Sequence, residues 1–333
     1  MLELPPLRYL SGADVTAAMP SLAERLDLAE VALRGLAGEA ELPSKIGLHP
    51  RPAGSFAHAM PAFLPGAEPD ADRLGMKWVL GFNDNQSLGF PAIHATLLLN
   101  DPATGVPVAI LDAGAITAER TAAISGVAIR AWAPAVSGRA VRAALIGAGV
   151  QGRSHVPVLG HLLPGVELAL FDRDGGRAEG LAATARGTAG IGSASVAASA
   201  REAVDGADVV VTVAAFVAPP ERQAMTNAWL TGDALVVAVD YATYCAAEVA
   251  RDASLFVVDH RDQFLANRDA GQFDRYPEPA AMFGEALDGT SGAGRPVGRI
   301  VATHLGTGLA DVVFGSAILD AAARLGLGTI LQR

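Results

Sequence analysis

The chain has 333 residues, of which 51% are hydrophobic and 18% are charged, and its formal net charge is -10. This composition supports a large buried core spread over about two domains, and the acidic balance disfavours nucleic acid and anionic membranes as partners. The single cysteine, Cys245, excludes a disulfide framework, so we expect it to be a packing residue in a protein of the reducing cytoplasm.

The first third of the chain predicts a helix followed by short strands. The opening residues MLELPPLRYL contain an acid and two prolines rather than the pattern of a secretory signal. Apolar residues at three- and four-residue spacing predict one helix from Asp14 to about Leu36. Strands are predicted in SKIGLHP, SFAHAMPAF, LGMKWVLGF and AIHATLLLN, and the turn NDPATG joins the last of them to VPVAILDA as a hairpin.

The segment ITAERTAAISGVAIRAWAP predicts the next helix, with Thr117 as its N-cap and Pro134 at its end. Arg120 then falls in the first turn, where the helix dipole disfavours a cation, and this position indicates a pocket for a carboxylate or a phosphate. From Val141 onward strands and helices alternate, which is typical of a parallel, doubly wound sheet. The predicted strands lie in VRAALIG, VELALFD, ADVVVTVAA, GDALVVAVD, SLFVVDH and, after a loose segment near Gly289, RIVATHL; a helix follows Gly308.

A glycine motif opens this second region. Gly147, Gly149 and Gly152 form G-x-G-x-x-G between a predicted strand and a predicted helix, the context of a Rossmann-type dinucleotide site. Asp172, at the end of the next strand, is placed to accept the hydroxyls of an adenine ribose, so NAD(H) is favoured as the cofactor. Arg173 beside it keeps NADP(H) open, since an arginine there can pair with a 2′-phosphate. The alternative is a glycine turn that binds nothing.

Three cations in the first region are candidates for anion binding. Lys77 lies within an apolar strand, where a lysine is unfavourable unless it meets an anion. Arg120 follows in the helix, and Lys45 begins an earlier strand. Alternatively, each side chain extends to solvent or pairs with a local acid.

The joined segments NDPATGVPVAILDAGAITAERTAAISGVAIRAWAP and ALIGAGVQGRSH resemble the ornithine cyclodeaminase/mu-crystallin family. The resemblance implies an α/β protein in which a Rossmann-type domain, residues 119–304, is inserted into a mixed α+β substrate-binding and dimerisation domain, residues 1–118 and 305–333. It also implies a homodimer. Members of the family include cyclodeaminases, amino-acid dehydrogenases, cyclic ketimine reductases and imino acid reductases.

Site residues follow from the resemblance by position. Lys77 matches the lysine that holds the substrate carboxylate, Arg120 matches an arginine between substrate and cofactor, and Lys45 falls where an arginine is common. The residues implied to contact the cofactor are Arg120, Thr121, Gly147, Gly149, Val150, Gln151, Gly152, Asp172, Arg173, Ala214, Val239 and His304.

The chain departs from the family at its acid–base residues. Cyclodeaminases have an aspartate where this sequence has Ala242, and Asp240 stands two residues earlier. On an extended segment both side chains share a face, so Asp240 is a candidate proton donor, although it could equally cap a turn. His304 falls where a small residue is usual and is either a second proton donor or a packed histidine. His58 and His94 are weaker candidates, and no His, Cys or Asp spacing indicates a metal.

Three functions remain open from the sequence. The leading hypothesis is an NAD(H)-dependent oxidoreductase that reduces a small anionic α-imino acid or cyclic ketimine to an amino acid, or runs the reverse dehydrogenation. Lys77, Arg120 and Lys45 would bind the carboxylate, with Asp240 or His304 protonating the nitrogen. The alternatives are an ornithine or lysine cyclodeaminase, which releases ammonia, and a non-catalytic ligand-binding protein like the mu-crystallin branch.

Overall fold

A computed structural model describes residues 4–290 and 294–333 and divides the chain into two compact units. Unit 1 runs to Arg120 and resumes at Gly306, and unit 2 comprises Thr121–Leu305. The boundaries predicted from sequence were residues 118 and 304. The predicted loose segment near Gly289 lies partly outside the described residues.

The strands of the described residues are β1 (Leu7–Leu10), β2 (Ile46–Leu48), β3 (Phe56–Leu64), β4 (Arg73–Gly81), β5 (Ile93–Asn100), β6 (Pro107–Asp112), β7 (Arg142–Ile146), β8 (Val166–Phe171), β9 (Ile191–Val196), β10 (Val209–Thr212), β11 (Leu235–Ala238), β12 (Leu255–Val258), β13 (Ala281–Met282), β14 (Ile300–Thr303) and β15 (Thr329–Leu331). The α-helices are α1 (Gly12–Ala17), α2 (Leu22–Ala37), α3 (Gly114–Trp132), α4 (Val150–Leu162), α5 (Gly175–Arg186), α6 (Ala200–Val204), α7 (Ala247–Arg251), α8 (Arg261–Asp269), α9 (Phe283–Thr290) and α10 (Gly308–Leu325).

Unit 1 is built on a seven-stranded mixed sheet in the order β15-β1-β6-β5-β4-β3-β2. The predicted hairpin is confirmed, because β5 and β6 pair in antiparallel register. Helix α10 packs on β3, β4 and β5, and two glycines allow this close approach. A Cβ at Gly308 would lie 2.4 Å from the carbonyl oxygen of Met60, and one at Gly315 would lie 2.1 Å from the side chain of Leu97.

The prediction of one helix from Asp14 to Leu36 is wrong in one respect, since the structure has two helices, α1 and α2. Each has its own capping box, formed by Ser11 with Asp14 and by Ser21 with Glu24. Two reciprocal caps satisfy the free amides of two separate helix starts, and Pro20 between them disfavours a continuous helix. The predicted apolar stripe is confirmed within α2, where the buried members include Leu26, Ala29, Leu33 and Leu36.

The predicted N-cap of α3 is also wrong. The helix begins at Gly114, whose amide donates to Oδ1 of Asp112 at 2.9 Å. Thr117 lies inside the helix and its hydroxyl donates to the carbonyl of Ala113 at 2.7 Å. Arg120 is therefore beyond the first turn, and the free helix amides expected beside it are not there.

Unit 2 contains an eight-stranded parallel sheet in the order β13-β12-β14-β11-β10-β7-β8-β9, which confirms the predicted fold class. The strand order reverses between β7 and β10, and doubly wound sheets bind ligands at the carboxyl ends of the strands at such a point. Cys245 is fully buried in the core of this unit. Burial raises the pKa of its thiol to about 12, so it acts as a packing residue.

Candidate functional site

The glycine turn of unit 2 has the backbone that a dinucleotide site requires. Gly147 has a φ of +113°, and a Cβ there would lie 2.7 Å from the carbonyl oxygen of Val213. A Cβ at Gly152 would lie 2.1 Å from the carbonyl oxygen of Gly147. At Gly149, by contrast, no described atom lies within 4 Å of the Cβ position. Two glycines are thus required by packing within the fold, and the third leaves open space over the turn.

The open space lies at the start of α4, whose N-cap is Gly149. Among the described residues no side chain caps this helix, and Val150 is exposed at its first position. The first amides of a helix carry partial positive charge and bind anions such as phosphate. The residues present therefore fit the pyrophosphate of a dinucleotide.

Asp172 is held beside the glycine turn. Its Oδ2 accepts the amide of Ala148 at 2.7 Å, and its Oδ1 accepts the amide of Asp174 at 2.8 Å. Each carboxylate oxygen can accept a further hydrogen bond, so these contacts fix the group without using up its capacity. The neighbouring Arg173 pairs at 3.7 Å with Glu221, and both side chains are mostly exposed.

Two further predicted cofactor residues follow adjacent strands of the same sheet. Ala214 lies just beyond β10 and lines a cavity of about 150 Å³, together with Arg173, Glu221 and Tyr244. Val239 follows β11, and its amide donates to the carbonyl of Thr212. Both residues thus lie at the carboxyl edge of the sheet, where ligands of doubly wound sheets bind.

Asp240 is a buried acid at this edge. Its Oδ1 accepts the hydroxyl of Thr212 at 2.8 Å, and the residue is 2% exposed. Burial raises the pKa of the carboxyl to about 7, although the hydrogen bond from Thr212 and those from the backbone of Ala214 and Tyr244 oppose the rise. A carboxyl with this pKa exchanges its proton near neutral pH, as a general acid must.

The extended segment expected around Asp240 is not present. The amide of Thr243 donates to the carbonyl of Asp240, and Tyr241 has a φ of +57°, so these residues form a turn after β11. Ala242, at the position where the resemblance implies an aspartate, is buried in the apolar core. Residues 240 and 242 therefore do not share a face as they would on a strand, and Asp240 does not take the place of a carboxylate at position 242.

His304 belongs to a buried chain of hydrogen bonds that the sequence did not predict. Its Nε2 lies 2.9 Å from Oγ of Ser125, and the same oxygen lies 2.8 Å from Nε2 of His155. Nδ1 of His155 lies 2.7 Å from the carbonyl oxygen of Gln151. Burial lowers the pKa of His155 to about 4. The sequence feature that could have indicated this chain was a serine and a histidine on the apolar faces of two predicted helices.

In unit 1, Lys77 and Arg120 share one carboxylate. Nζ of Lys77 lies 2.6 Å from Oδ2 of Asp311, and Nε of Arg120 lies 3.1 Å from Oδ1. All three side chains are buried. Both cations thus pair with an acid, as the alternative expected, although Asp311 is distant from them in sequence. One carboxylate balances only one of two positive charges, so the other charge needs a further anion.

Burial, together with the charges of Arg120 and Lys45, lowers the pKa of Lys77 to about 7, although the carboxylate of Asp311 opposes this shift. Lys45 is half-buried immediately before β2, and together with Lys77 it makes up all the lysines of the chain. Burial and nearby positive charge, including that of Lys45, also lower the pKa of His58 to about 4. Unit 1 therefore gathers positive charge around Lys77.

The absence of a side chain at Gly306 leaves room for the guanidinium of Arg120. The φ of Gly306 is +77°, and a Cβ there would lie 2.4 Å from Nη1 of Arg120. Any side chain at position 306 would therefore displace the arginine as well as strain the backbone. Of the other predicted residues, Thr121 is buried next to Arg120 in α3, whereas His94 is exposed on β5.

Within residues 4–290 and 294–333, no three His, Cys, Asp or Glu side chains are grouped so that they could hold a metal ion. The helices of the same residues include none that is long and apolar enough to cross a membrane.

Comparisons with known proteins identify relatives of the whole chain. It is 35% identical over 332 residues to the nodulation efficiency protein NfeD of Rhizobium meliloti, covering 98% of this chain and 99% of that protein. Over 158 residues, 47% of each chain, it is 35% identical to the ketimine reductase mu-crystallin of Mus musculus. An archaeal alanine dehydrogenase dimer with bound NAD superposes with a TM-score of 0.82 and 25% identity, over 98% of this chain and 99% of that one. The model of the ornithine cyclodeaminase/mu-crystallin family matches residues 10–322, and the chain belongs to this family.

Proposed function

We propose that the protein is an NAD(H)-dependent oxidoreductase that reduces a small α-imino acid or cyclic ketimine to an amino acid, or catalyses the reverse dehydrogenation. The observation that carries the proposal is the buried pair Lys77 and Arg120 on the single carboxylate of Asp311. This arrangement buries a positive charge away from water. The carboxylate of a bound substrate matches that buried charge. The ketimine reductase and alanine dehydrogenase relatives support the same class of reaction.

Unit 2 binds the cofactor in this proposal. The amides after Gly149 hold the pyrophosphate, and Asp172 accepts hydrogen bonds from the ribose and repels a 2′-phosphate. NAD(H), when bound, supplies or accepts the hydride. Arg173 is exposed and paired with Glu221, so it is available to a 2′-phosphate only at the loss of that contact. We therefore favour NAD(H) and keep NADP(H) as the weaker cofactor.

The side chains of this protein bind the substrate and move its proton. Lys77 and Arg120, assisted by Lys45, hold the carboxylate and so orient the reacting carbon and nitrogen. The same positive charge makes the imine carbon more electrophilic. Asp240 or His304 donates a proton to the nitrogen. We also propose a homodimer, in keeping with the archaeal alanine dehydrogenase dimer.

The test is NADH oxidation with a panel of imines. Pyruvate, glyoxylate and oxaloacetate are each supplied with ammonia, pyruvate also with methylamine, and five- and six-membered cyclic ketimines are added directly. We expect turnover with at least one member, and the same panel with NADPH tests the role of Asp172. Lys77→Ala should abolish turnover while NADH binding, measured by fluorescence, is unchanged. A variant that retains the wild-type rate would reject the carboxylate site.

A cyclodeaminase is the second candidate, and the buried carboxyl of Asp240 favours it. That reaction needs an acid–base group near the substrate amine, and Asp240, with a pKa of about 7, has the required chemistry. Release of ammonia from ornithine or lysine without net formation of NADH would establish it. Tight NADH binding with no turnover on either panel would instead indicate a ligand-binding protein.

A further inference from the structure

Three side chains in unit 2 form one continuous chain of hydrogen bonds. It runs from His304, after β14, through Ser125 in α3 to His155 in α4, and ends at the backbone carbonyl of Gln151. The three heavy-atom distances are 2.9, 2.8 and 2.7 Å. His304 is 1% exposed, and Ser125 and His155 are fully buried, so water does not compete for these contacts.

The direction of each hydrogen bond follows from the end of the chain. A backbone carbonyl can only accept, so Nδ1 of His155 carries the hydrogen that it donates to Gln151. Full burial keeps His155 neutral, so its Nε2 has a lone pair and accepts the hydroxyl hydrogen of Ser125. Ser125 has no second hydrogen to give. Its oxygen must therefore accept from Nε2–H of His304.

We propose that Ser125 and His155 are positioning residues that hold His304 with a hydrogen on Nε2, so that Nδ1 is the nitrogen through which His304 exchanges a proton. The proposal rests on the proposed function, and of its two candidate proton donors, Asp240 and His304, it takes His304. When His304 donates its proton, the Nδ1–H bond of the imidazolium breaks and an N–H bond forms on the imine nitrogen. His304 is left as the neutral Nε2–H imidazole, which is the form that Ser125 stabilises.

This arrangement explains why two polar side chains occur on otherwise apolar helix faces. A buried serine and a buried histidine each carry a desolvation cost unless they are hydrogen-bonded. Here Ser125 and His155 hydrogen-bond to each other. The chain that they form ends at the backbone carbonyl of Gln151 on one side and at His304 on the other. Ser154 lies on α4 beside His155 and donates to the same carbonyl of Gln151 at 3.0 Å, but it is not a member of the chain.

The first test is spectroscopic and does not depend on turnover. Two-bond 1H–15N spectra of the full-length protein, labelled with 15N-histidine, report which ring nitrogen carries the hydrogen. His155→Gln and His304→Gln assign the two signals among the seven histidines. We expect Nδ1–H at His155 and Nε2–H at His304, both with and without NADH. The opposite tautomer at either residue would overturn the proposal.

The second test is kinetic, on the imine that gives the highest rate. Ser125→Ala should lower kcat at least about tenfold and leave the KM for the imine nearly unchanged. A tenfold loss is smaller than the full rate enhancement that a general acid provides, because His304 itself is still present. Ser125→Thr keeps the hydroxyl and should recover most of the rate, and Ser154→Ala, the matched control, should keep it. Correct tautomers with an unchanged kcat in Ser125→Ala would overturn the positioning role alone. Absence of turnover with every imine would overturn the proposed function, and with it the donor role of His304, while the tautomer assignment would stand.

Discussion

The ammonium nitrogen of Lys77 lies 2.6 Å from Oδ2 of Asp311, and both side chains are almost completely buried. The other oxygen of Asp311 is taken by Arg120, so a single acid offsets two cations. An acid that joins two buried cations should matter more for folding than either cation does. The cations in turn should matter more for binding an anionic substrate.

The first prediction compares Asp311→Asn with Lys77→Met. Asp311→Asn leaves the buried guanidinium of Arg120 without its counter-charge and removes the carboxylate that raises the pKa of Lys77. Breaking a buried pair in this way costs about 3–5 kcal/mol. Lys77→Met removes a desolvated cation and leaves Arg120 paired one to one with Asp311. Urea unfolding of both variants should therefore show a clearly lower midpoint for Asp311→Asn. An equal fall in the urea midpoint for both variants would mean that Asp311 does not hold Lys77 and Arg120 together.

The second prediction concerns the titration of Lys77. Its pKa is lowered to about 7, so the ammonium loses its proton as the pH rises through that value, and kcat/KM for a carboxylate substrate should fall above it. The chain has two lysines, so 13C-lysine labelling gives one signal each for Lys45 and Lys77. We expect the Lys77 signal, assigned with Lys77→Met, to titrate near neutral pH.

Lys77→Arg is the control for this titration. A guanidinium stays protonated at every accessible pH, so whatever activity the variant retains should not show the fall that Lys77 causes. A Lys77 signal that titrates like an ordinary lysine would refute the assignment of the low pKa to this residue.

The third prediction concerns Asp240 and stability. Burial raises its pKa from 3.8 to about 7, so between these values the folded state binds more protons than the unfolded state. The free energy of unfolding should therefore fall as the pH rises across this window, by up to about 4 kcal/mol. Asp240→Asn keeps an oxygen for Thr212 and cannot ionise, so it should be more stable than the wild type above neutral pH and similar to it in acid.

Denaturant unfolding at both ends of the window measures this difference. The exposed Asp205→Asn serves as the control and should follow the wild type. An Asp240→Asn variant with the wild-type dependence on pH would show that another group carries the slope.

The fourth prediction separates folding from cofactor binding at the glycine turn. The Cβ of Gly149→Ala meets no described atom within 4 Å, so the thermal midpoint should not fall. The added methyl group occupies the space through which a pyrophosphate approaches the backbone, so the affinity for NADH should drop at least about tenfold. Gly180→Ala, in α5 and equally unobstructed, should leave NADH binding unchanged. Unaltered NADH affinity in Gly149→Ala would contradict the dinucleotide site.

The fifth prediction concerns the choice of cofactor. Asp172→Ser removes the charge that repels a 2′-phosphate and one acceptor for the ribose hydroxyls, so kcat/KM with NADH should fall and that with NADPH should rise. Adding Arg173→Ala should reverse the gain with NADPH, because the arginine is the nearby cation. Steady-state rates with both cofactors measure the ratio. If the ratio stays at the wild-type value, Asp172 does not select the cofactor.

Local patterns in the sequence determined the backbone of the cofactor region. The spacing of Gly147, Gly149 and Gly152 specifies a turn with one positive φ and two close approaches, whatever the rest of the chain does. The alternation of apolar strands with helices after Val141 likewise indicated the parallel sheet. Short strands such as β1, β9 and β15 were missed because three to six residues, without a clear alternation, carry too little periodic signal.

Only the tertiary structure decided which side chains meet. Lys77, Arg120 and Asp311 come from a strand and two helices far apart in sequence, and so do Ser125, His155 and His304. The turn that places Asp240 beside Thr212 also depends on the packing of two strands. Backbone preferences act over a few residues and can be read from local sequence. Contacts between buried polar groups depend on how distant elements pack, and a single sequence does not state that packing.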